Sequence, residues 1–484
     1  MKNITHLIIL FFATVFLAQA QQPFFLDETQ LPRFQSTIVL PAGVHDLPSS
    51  VHARGDFSSA IADSFQMALD QLLVDIDSKG LSAAVIANNG DEWVGASGIS
   101  YVGADMTTDM YLGMGSLSKS ITAACMLRLQ EEGLVNLEDS IGKYLPPFPN
   151  VMTTITIRQL LNHTSGVYDF VEHPSMLDSM REDFSRIWQP EEVLNTFVKS
   201  AYFLPGQGWH YSNSNYVLAG LIIEQVTGQS YHEVVRQKLL APQGLDSLFL
   251  NPYEMAPGEI AHVWFDFPSL GKFDLDAIGQ TPISVYSSAW AAGGFFSRPI
   301  LAAKWMSHLL NGDVLTPSSM YQMLAFVPAN NIEYGLGLMK ISDGTHQFIG
   351  HQGYIIYSSL CFYDPLTKLT VAIQSNDGSS TDLSPFLIKA YELYLDLVET
   401  YTPPTFLGKA YPNPAKDIVH LDLPQNLNPD YRIIATDLLG HRLTTKITRK
   451  DTRSIQLDVS HWGNGLFHIE LWSQNQRMIY TVIR

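Results

Sequence analysis

The sequence predicts an α+β fold with an antiparallel sheet and a helical subdomain, followed by a small all-β sandwich. The first observation is the order of the patterns, because one helix and two strands precede a long helical middle region. The second is that two more strands and a closing helix follow that region, an order typical of an antiparallel sheet with a helical subdomain. The third is a C-terminal run of short alternating segments with many turn residues, about 75 residues long, which is typical of a sandwich.

Hydrophobic periodicity and turn chemistry predict the elements between residues 56 and 400. Apolar residues at helical spacing after Ser58 predict a first helix that Gly80 closes. Two strands, Leu81–Ala87 and Trp93–Gly98, follow, and the residues between them have hairpin turn chemistry. The remaining predicted elements are a helix that opens at Ser116 and runs to Gln130, helices at 156–161, 216–227, 295–310 and 384–398, and strands at 354–362 and 369–374.

Two segments lack clear periodicity and are predicted to be irregular. Residues 167–188 are rich in acidic, aromatic and methionine side chains, which suggests a lid or wall loop. Residues 251–288 form a second long irregular region. Loops of this kind near a site usually shape substrate choice.

The N-terminus has the pattern of a secretory signal peptide. A single lysine precedes an apolar run from Leu7 to Leu17, and cleavage is expected after Ala20. The run is too short for an ordinary membrane span, and no other run in the sequence is long enough. We therefore expect an exported mature chain with no transmembrane segment, which begins with a polar surface extension at residues 21–55.

Composition and charge narrow the classes of function. With 46% hydrophobic and 16% charged residues, the chain can bury a substantial core. Residues 1–403 contain 19 Lys and Arg against 40 Asp and Glu, whereas residues 404–484 contain 10 against 7. This asymmetry predicts two domains and argues against nucleic-acid binding, because no basic stripe is available to neutralise phosphates. Cys125 and Cys361 are expected to be buried small hydrophobes, with a disulfide between them left open.

Ser116 and Lys119 are the first candidate catalytic pair. They lie three residues apart where a glycine-containing segment becomes an apolar-periodic helix, so the hydroxyl and the amine can meet on one face. A serine beside a potential base is a candidate nucleophile. Two other Ser-x-x-Lys matches, at Ser140 and Ser269, have glycine in the third position and prolines nearby, so neither opens a clean helix.

Two further motifs, Tyr211-x-Asn213 and His351-x-Gly353, follow in the sequence. Each is weak alone, because both patterns recur near the C-terminus. In their order and setting, the three motifs resemble those of the serine β-lactamase and penicillin-binding protein superfamily. The closest resemblance is to the class C-like branch, which includes D-alanyl-D-alanine carboxypeptidases, esterases and D-aminopeptidases. It covers roughly residues 55–400 and implies a β-lactamase/transpeptidase-like sheet with a helical subdomain. The supporting phrases are residues 160–166, 211–220 and 292–297.

The resemblance implies a role for each motif residue. Ser116 would attack a carbonyl carbon to form an acyl-enzyme, which water then hydrolyses. Lys119 is the first candidate base, provided that burial or a nearby cation lowers its pKa from about 10.4. Tyr211 offers a second route for the proton, and Asn213 would hydrogen-bond the substrate amide or the Lys119 amine. The backbone N–H groups of Ser116 and Tyr354 would form the oxyanion hole.

His351 stands where many members of that superfamily carry lysine. A histidine with a pKa near 6.5 is mostly neutral at pH 7, so recognition of a substrate carboxylate should be weaker or pH-dependent. His351, Gly353 and Asn213 are together expected to contact the substrate. The sequence has no clustered His and Cys ligand set, so we expect no metal and no cofactor.

The C-terminal residues 409–484 resemble a type IX secretion sorting domain. The resemblance rests on the phrases 411–417, 437–440 and 465–470. It implies a Gram-negative bacterium, Sec export, and then passage across the outer membrane by the type IX machinery. The predicted organisation is a signal peptide at 1–20, an extension at 21–55, a hydrolase domain at 56–400, a linker at 401–408 and the sorting domain at 409–484.

The sequence therefore predicts a secreted or cell-surface serine hydrolase. It would act through an acyl-enzyme on a small molecule or short peptide: an ester, an amide or a D-amino-acid peptide. A D-alanyl-D-alanine carboxypeptidase or a β-lactamase is the alternative among enzymes. A surface protein that binds a ligand without turnover is the alternative outside them.

Overall fold

The computed structural model of the protein describes two regions. The first, called the large domain below, is residues 56–399 without 268–269, 331, 343–346 and 380–381. The second, called the small domain, consists of segments between residues 405 and 483. These segments are 405–407, 410–411, 416–422, 432–437, 442–450, 454–463, 466–473 and 476–483. The predicted signal peptide, the extension and residues 401–404 of the predicted linker lie outside the described residues.

The large domain contains fourteen described strands. They are β1 (Gly80–Ile86), β2 (Glu92–Tyr101), β3 (Ala104–Asp105), β4 (Leu112–Gly113), β5 (Phe249–Leu250), β6 (Trp264–Phe267), β7 (Gly271–Asp274), β8 (Phe295–Ser297), β9 (Val327–Ala329), β10 (Ile332–Tyr334), β11 (Met339–Ser342), β12 (Gln347–Tyr354), β13 (Ser358–Tyr363) and β14 (Thr370–Ser375).

Eleven α-helices are described in the same domain. They are α1 (Ser59–Asp75), α2 (Ser118–Glu131), α3 (Ile157–Leu161), α4 (Met176–Glu182), α5 (Pro190–Phe197), α6 (Asn213–Thr227), α7 (Tyr231–Val235), α8 (Ile283–Ala289), α9 (Pro299–Asn311), α10 (Pro317–Met323) and α11 (Ser384–Glu399). Short 3-10 turns at Gly115–Leu117, Phe170–Glu172 and Trp290–Ala292 lie between them.

A nine-stranded antiparallel sheet is the centre of the described large domain. Its order is β3-β2-β1-β14-β13-β12-β11-β10-β9, so strands from the two ends of the domain pair directly. Strand β1 is buried on both faces: Ala83 and Val85 pack with α1 and α11, whereas Ala84 and Ile86 pack on the helical side. Helices α1 and α11 form one apolar core with one face of the sheet. The larger helical region forms a second apolar core with the opposite face of the sheet. The predicted α+β architecture is confirmed.

Most predicted elements agree with the structure within a few residues, but the strand predicted at 354–362 is wrong. Strand β12 ends at Tyr354 and β13 begins at Ser358, and the three residues between them form the turn of a hairpin. Ile356 has a positive φ of 64°, a conformation that a β-branched residue rarely adopts. The turn lies inside an apolar run without Gly, Pro or Asn, so no ordinary turn signal marks it. As a result, His351 and Gly353 lie within a strand rather than before one.

Two predictions for the middle of the chain are also corrected. Residues 251–288 are not irregular throughout, because they include the hairpin β6–β7 and most of α8. The segment after Gly294 first forms strand β8, and helix α9 begins only at Pro299, where a proline is tolerated because the first helical N–H needs no partner. Residues 167–188 contain the 3-10 turn Phe170–Glu172 and helix α4 within the predicted loop.

The small domain has two sheets that share one apolar core. The five-stranded sheet has the order β15-β23-β22-β18-β19, and the four-stranded sheet has the order β16-β17-β21-β20. Their bounds are β15 (Thr405–Leu407), β16 (Ala410–Tyr411), β17 (Ile418–Asp422), β18 (Arg432–Asp437), β19 (Arg442–Leu443), β20 (Lys446–Lys450), β21 (Ser454–Asp458), β22 (Leu466–Ser473) and β23 (Gln476–Ile483). Leu421 and Leu457 of one sheet pack with Ile469 and Val482 of the other, which makes the sandwich predicted. β15, in the predicted linker, pairs in parallel with β23.

Two further sequence expectations concern the cysteines and the membrane. Cys125 and Cys361 are both buried and both free thiols, so the disulfide left open is not formed. Burial raises the pKa of the Cys125 thiol to about 12, which keeps it protonated at neutral pH. No helix among the described residues is long and apolar enough to cross a membrane.

Candidate active site

Ser116 lies on the 3-10 turn that leads into α2, one turn before Lys119. The Lys119 Nζ atom is 2.9 Å from Ser116 Oγ, as the i,i+3 spacing predicts. Gly115 permits the turn because its φ is +51° and because a Cβ there would lie 2.5 Å from the backbone N of Tyr354. The glycine therefore lets the turn Gly115–Leu117, called the nucleophile turn below because it carries the candidate nucleophile, approach strand β12 closely.

Lys119 is completely buried and has three oxygen neighbours. Its Nζ atom is 2.9 Å from Ser116 Oγ, 2.7 Å from Asn213 Oδ1 and 2.7 Å from the carbonyl oxygen of Ala292. A neutral amine has two N–H groups and one lone pair, and the two carbonyl oxygens can only accept. The two N–H groups therefore go to Asn213 and Ala292, which leaves the lone pair for the Ser116 hydroxyl. Ser116 is the one neighbour of the three that can give Lys119 a proton.

The environment supplies the low pKa that a lysine base requires. Burial, the larger effect, lowers the pKa of Lys119 to about 7, and the negative charge of Asp169 opposes this shift. Desolvation penalises the ammonium form, so a substantial fraction of the amine is neutral at neutral pH. From the sequence, burial was expected as one of two causes that could lower the pKa of Lys119, and the other was a nearby cation.

Tyr211 contacts the same centre from the segment before α6. Lys119 Nζ is 4.9 Å from the centroid of the Tyr211 ring. Burial raises the pKa of the Tyr211 phenol well above its ordinary value, while a hydrogen bond with Ser116 acts in the opposite direction. The phenol is therefore protonated at neutral pH and can give a proton to a leaving group more readily than it can serve as the first base.

His351 lies beneath Tyr211, with 6.3 Å between the ring centroids. Its Nδ1 contacts the carbonyl oxygen of Gln352, which can only accept, so Nδ1 carries the proton. Its Nε2 then accepts from the hydroxyl of Tyr334 at 2.9 Å. Burial and, secondarily, the charge of Lys119 lower the pKa of His351 to about 3. The expected pH-dependent contact with a substrate carboxylate has no support here, since His351 is neutral near pH 7 and both nitrogens have partners inside the protein.

Gly353 and Tyr354 lie at the end of β12 against the nucleophile turn. A Cβ on Gly353 would lie 2.1 Å from the carbonyl oxygen of Met114 and 2.8 Å from the backbone N of Ser116, so only glycine fits. The same contact brings the Tyr354 backbone next to Gly115. The two N–H groups expected to form the oxyanion hole thus belong to adjoining segments, and their role stays a prediction.

A short segment after α3 holds the Tyr211–Asn213 region in place. His163 Nδ1 accepts from the backbone N of Ser212 at 3.1 Å, and the ring of His163 lies 4.3 Å from that of Tyr211, centroid to centroid. Ser165 Oγ donates to Asn215 Oδ1 at 2.6 Å. From the sequence alone, residues 160–166 were only one of the segments that supported the family resemblance. Its side chains are the scaffold for the second motif.

Sequence reasoning missed three contributors to this centre. Asp169 is buried, and its Oδ2 accepts from Asn213 Nδ2 at 2.9 Å. The signal that could have found it is an acidic residue soon after Gly166 in an otherwise aromatic segment. Tyr334 comes from β10, next to the edge strand of the sheet, and the Ala292 carbonyl comes from a 3-10 turn. No local pattern could have identified either of them.

One group of described residues outside this centre has metal-like spacing. The ligand atoms of His262, Asp274 and Asp276 lie within 4.8 Å of one another near the β6–β7 hairpin. Their acceptors already have protein donors, because Asp276 accepts from the backbone N of Val263 and Asp274 from that of Ala277. These hydrogen bonds indicate that the three side chains stabilise the turns of this segment.

Comparisons with known proteins identify the families to which the two regions of the chain belong. The Beta-lactamase family profile matches residues 67–393, and the profile of the Secretion system C-terminal sorting domain matches residues 409–483. Penicillin-binding protein 4* of Bacillus subtilis (strain 168) is 28% identical over 302 residues, which are 59% of this chain and 65% of that protein. The chain thus spans just under two thirds of that relative.

Two solved structures resemble the large domain. A D-stereospecific amidohydrolase from Streptomyces sp. is 28% identical, with a TM-score of 0.60 over 68% of this chain and 98% of that one. The D-amino acid amidase from Ochrobactrum anthropi SV3, solved with D-phenylalanine, is 25% identical, with a TM-score of 0.63 over 70% and 100%. The resemblances to the serine β-lactamase and penicillin-binding protein superfamily and to a type IX sorting domain are confirmed at the level of the family. The chain belongs to the serine β-lactamase family of hydrolases and carries a C-terminal type IX secretion sorting domain.

Proposed function

We propose that the protein is an exported serine hydrolase of the class C-like branch that cleaves small amides or esters, including those of D-amino acids. The observation that carries the proposal is the set of three oxygens around Lys119, of which Ser116 alone has a proton to give. The sorting domain supports export to the cell surface or beyond. The amidase and amidohydrolase among the solved structures support the substrate class.

Acylation would begin with transfer of the Ser116 hydroxyl proton to Lys119 Nζ as Oγ bonds to the substrate carbonyl carbon. The carbonyl oxygen becomes an oxyanion, which the backbone N–H groups of Ser116 and Tyr354 would stabilise. When the intermediate collapses, the bond to the leaving amine or alcohol breaks. The leaving group takes a proton from the Tyr211 phenol, and Lys119 restores the proton to Tyr211.

Deacylation would reverse these roles with water as the nucleophile. The neutral Lys119 amine accepts a proton from water while the water oxygen attacks the ester carbon. The acyl bond to Ser116 Oγ then breaks, and the proton returns to that oxygen. The product acid leaves, and the enzyme regains its starting protonation state.

The charges around the site favour substrates without a carboxylate next to the scissile bond. His351 is neutral, and Lys119 uses its donors within the protein. Acidic side chains, Asp169 and Glu172, lie on the neighbouring 3-10 turn. A substrate carboxylate would be repelled by these acidic side chains, whereas a neutral substrate would meet no charge repulsion.

The second candidate is a D-alanyl-D-alanine carboxypeptidase or β-lactamase. The match to a penicillin-binding protein from Bacillus subtilis favours it. The same nucleophile and base would serve, so the two candidates differ in substrate recognition alone. Hydrolysis of a peptide that ends in a free carboxylate separates them.

A substrate panel tests the proposal. The panel comprises D-phenylalanine amide, its L enantiomer, a short acyl ester, a D-Ala-D-Ala peptide and a cephalosporin, each measured with wild type, Ser116→Ala and Ser140→Ala. Ser140 is the matched control because it begins the decoy Ser-x-x-Lys motif. We expect amide or ester turnover in wild type and Ser140→Ala, and a loss of at least about 1,000-fold in Ser116→Ala. Faster turnover of the D-Ala-D-Ala peptide or the cephalosporin would establish the second candidate instead.

A further inference from the structure

A buried carboxylate, Asp169, is joined to the nucleophile by an unbroken series of hydrogen bonds. Its Oδ2 atom accepts from Asn213 Nδ2 at 2.9 Å, and Asn213 Oδ1 accepts from Lys119 Nζ at 2.7 Å. Lys119 Nζ lies 2.9 Å from Ser116 Oγ. All four residues are buried, with exposed fractions between 0% and 9%. Asp169 therefore lies one amide away from the proposed base.

The two neighbours of Asn213 fix the direction of its amide. A carboxylate can only accept, so the NH2 group must face Asp169. An amine or ammonium needs an acceptor, so the oxygen must face Lys119. Without Asp169, the amide could rotate and present its NH2 group to the amine, which would be repulsive to the ammonium form. Asp169 thus selects the orientation that Lys119 needs.

The loop that carries Asp169 has a separate attachment that does not use the carboxylate. Ser214 Oγ donates to the carbonyl oxygen of Tyr168 at 2.8 Å, and the backbone N of Phe170 donates to the same Oγ at 3.0 Å. Asp169 Oδ1 additionally caps the 3-10 turn by accepting from the backbone N of Val171 at 3.3 Å. Because Ser214 clamps both sides of Asp169, the position of the loop does not depend on the charge of the carboxylate.

A buried carboxylate is costly unless a charge partner offsets its desolvation. Burial raises the pKa of Asp169 to about 6, and the charge of Lys119 acts in the opposite direction. Reciprocally, Asp169 opposes the fall that burial causes in the pKa of Lys119. The charge of each group therefore acts on the pKa of the other.

We propose that Asp169 is a positioning residue for Lys119. It acts through Asn213: it holds the amide oxygen toward the amine, and its charge keeps the amine basic enough to take the Ser116 proton. The proposal rests on the proposed function of Lys119 as the base. It predicts that a neutral side chain of the same shape in place of Asp169 makes Lys119 a weaker base. The Lys119 amine should then lose its proton at a lower pH.

Other titratable groups lie around this pair and have to be accounted for. Burial raises the pKa of the phenols of the tyrosines among them and lowers the pKa of His163 and His351, so these groups stay neutral near pH 7. Glu172, on the same turn as Asp169, is the remaining carboxylate that acts on it. The groups are Tyr168, Glu172, Tyr202 and His210 around Asp169, and His163, Tyr211 and His351 around Lys119.

The test is the pH dependence of Ser116 phosphonylation by a neutral alkyl fluorophosphonate, followed by intact-protein mass spectrometry of the full chain. In this step the Ser116 oxygen bonds to phosphorus, fluoride leaves, and Lys119 takes the hydroxyl proton, so no natural substrate is needed. The variants are Asp169→Asn, which keeps an acceptor for Asn213 without the charge, and Ser214→Ala, which removes the loop clamp and keeps the charge. Ser116→Ala identifies the labelled residue.

We expect the wild-type rate to rise with pH through the neutral range. In Asp169→Asn the midpoint of that rise should fall by about one pH unit or more, with a lower rate at high pH. In Ser214→Ala the midpoint should stay within about 0.3 of the wild-type value, although its unfolding temperature falls. If Asp169→Asn does not fold, Asp169→Ser gives the same comparison, because it keeps an acceptor and carries no charge.

Two results would overturn the proposal. An Asp169→Asn midpoint equal to that of wild type would show that the carboxylate charge does not act on Lys119. An equal shift in Ser214→Ala would show that loop position, and not charge, sets the midpoint. A wild-type protein with no Ser116-dependent adduct would instead overturn the proposed function, and this role with it.

Discussion

At the scale of single residues, the surroundings of Lys119 are what make it the candidate base. Its amine meets two oxygens that only accept and one hydroxyl that can donate. Burial supplies the neutral form that a base requires. The motif residues were predictable from the sequence because their spacing is local or their phrases are distinctive. Tyr334 and the Ala292 carbonyl were not, because tertiary contacts alone bring them to His351 or to the amine, and the one local signal for Asp169 is an acidic residue in an aromatic segment.

With Lys119 as the proposed base, we expect its pKa to determine the pH dependence of activity. The ammonium form cannot accept the Ser116 proton, so activity should be absent well below the lysine pKa and should rise as pH passes through about 7. We expect kcat/KM for a neutral ester to increase about tenfold per pH unit below that value and to level off above it. The measurement is a pH profile from 5 to 9 with enzyme stability checked at each pH. A rate that falls steadily between pH 6 and 8 would contradict the role of Lys119.

Replacement of Lys119 by arginine tests the base without removing the positive charge. Arginine stays protonated at every relevant pH, so it can hold Asn213 and Ala292 but cannot take a proton. We expect Lys119→Arg to fold and to lose at least about 100-fold in kcat. Lys143→Arg, in the decoy motif, is the matched control and should keep wild-type turnover. Retained activity in Lys119→Arg would assign the base to another group.

Tyr334 supports His351 from β10, the strand next to the edge of the sheet. Its hydroxyl donates to His351 Nε2 at 2.9 Å, and both residues are completely buried. Tyr334→Phe leaves a buried acceptor without its donor, so we expect a loss of about 1–3 kcal/mol in the free energy of unfolding. Tyr321→Phe is the control, because Tyr321 is 75% exposed. Denaturant unfolding followed by fluorescence measures both, and equal stabilities would contradict the hydrogen bond.

At the scale of elements, the site depends on the approach of the nucleophile turn to β12. Gly115 and Gly353 make this approach possible by lacking a Cβ. Periodicity predicted the helices around the site, but it misplaced the β12–β13 hairpin because the turn at residues 355–357 is apolar. The location of His351 and Gly353 within a strand could not be read from local sequence for the same reason.

Gly115→Ala tests the close approach. A Cβ there would meet the backbone N of Tyr354 at 2.5 Å, whereas a Cβ on Gly133 meets nothing within 4 Å. Both glycines have positive φ, so Gly133→Ala carries the same kind of backbone strain without the clash. We expect Gly115→Ala to lower the rate of Ser116 acylation by about 100-fold, because a displacement near 1 Å is enough for such a loss. Equal acylation rates in the two variants would contradict the contact.

At the scale of the whole molecule, the hydrolase-family match and the sorting-domain match lie in different parts of the chain. The large domain has two apolar cores, and the small domain has a separate one, with no buried residue shared among them in the described chain. The sequence predicted this division from the charge asymmetry and the proline-containing linker. It could not predict that residues 405–407 join the sheet of the small domain, because their partner strand lies about seventy residues later.

Removal of residues 405–484 should abolish export across the outer membrane without abolishing hydrolysis. Because the cores are distinct, we expect the truncated protein to keep kcat/KM within about twofold of the full chain. In a bacterium with a type IX system, it should lose its place outside the cell and remain behind the outer membrane. Cell fractionation and ester hydrolysis measure the two effects. Loss of hydrolysis after truncation would show that the small domain contributes to the site.

The most direct test of the central claim is to trap the acyl-enzyme. The full chain is mixed with a D-phenylalanine ester at pH 8, quenched in acid within milliseconds and analysed by intact-protein and peptide mass spectrometry. We predict one added acyl group on Ser116, formed much more slowly at pH 5, present in Ser140→Ala and absent from Ser116→Ala. An acyl group on another residue, or turnover with unchanged rate in Ser116→Ala, would contradict catalysis by the Ser116–Lys119 pair.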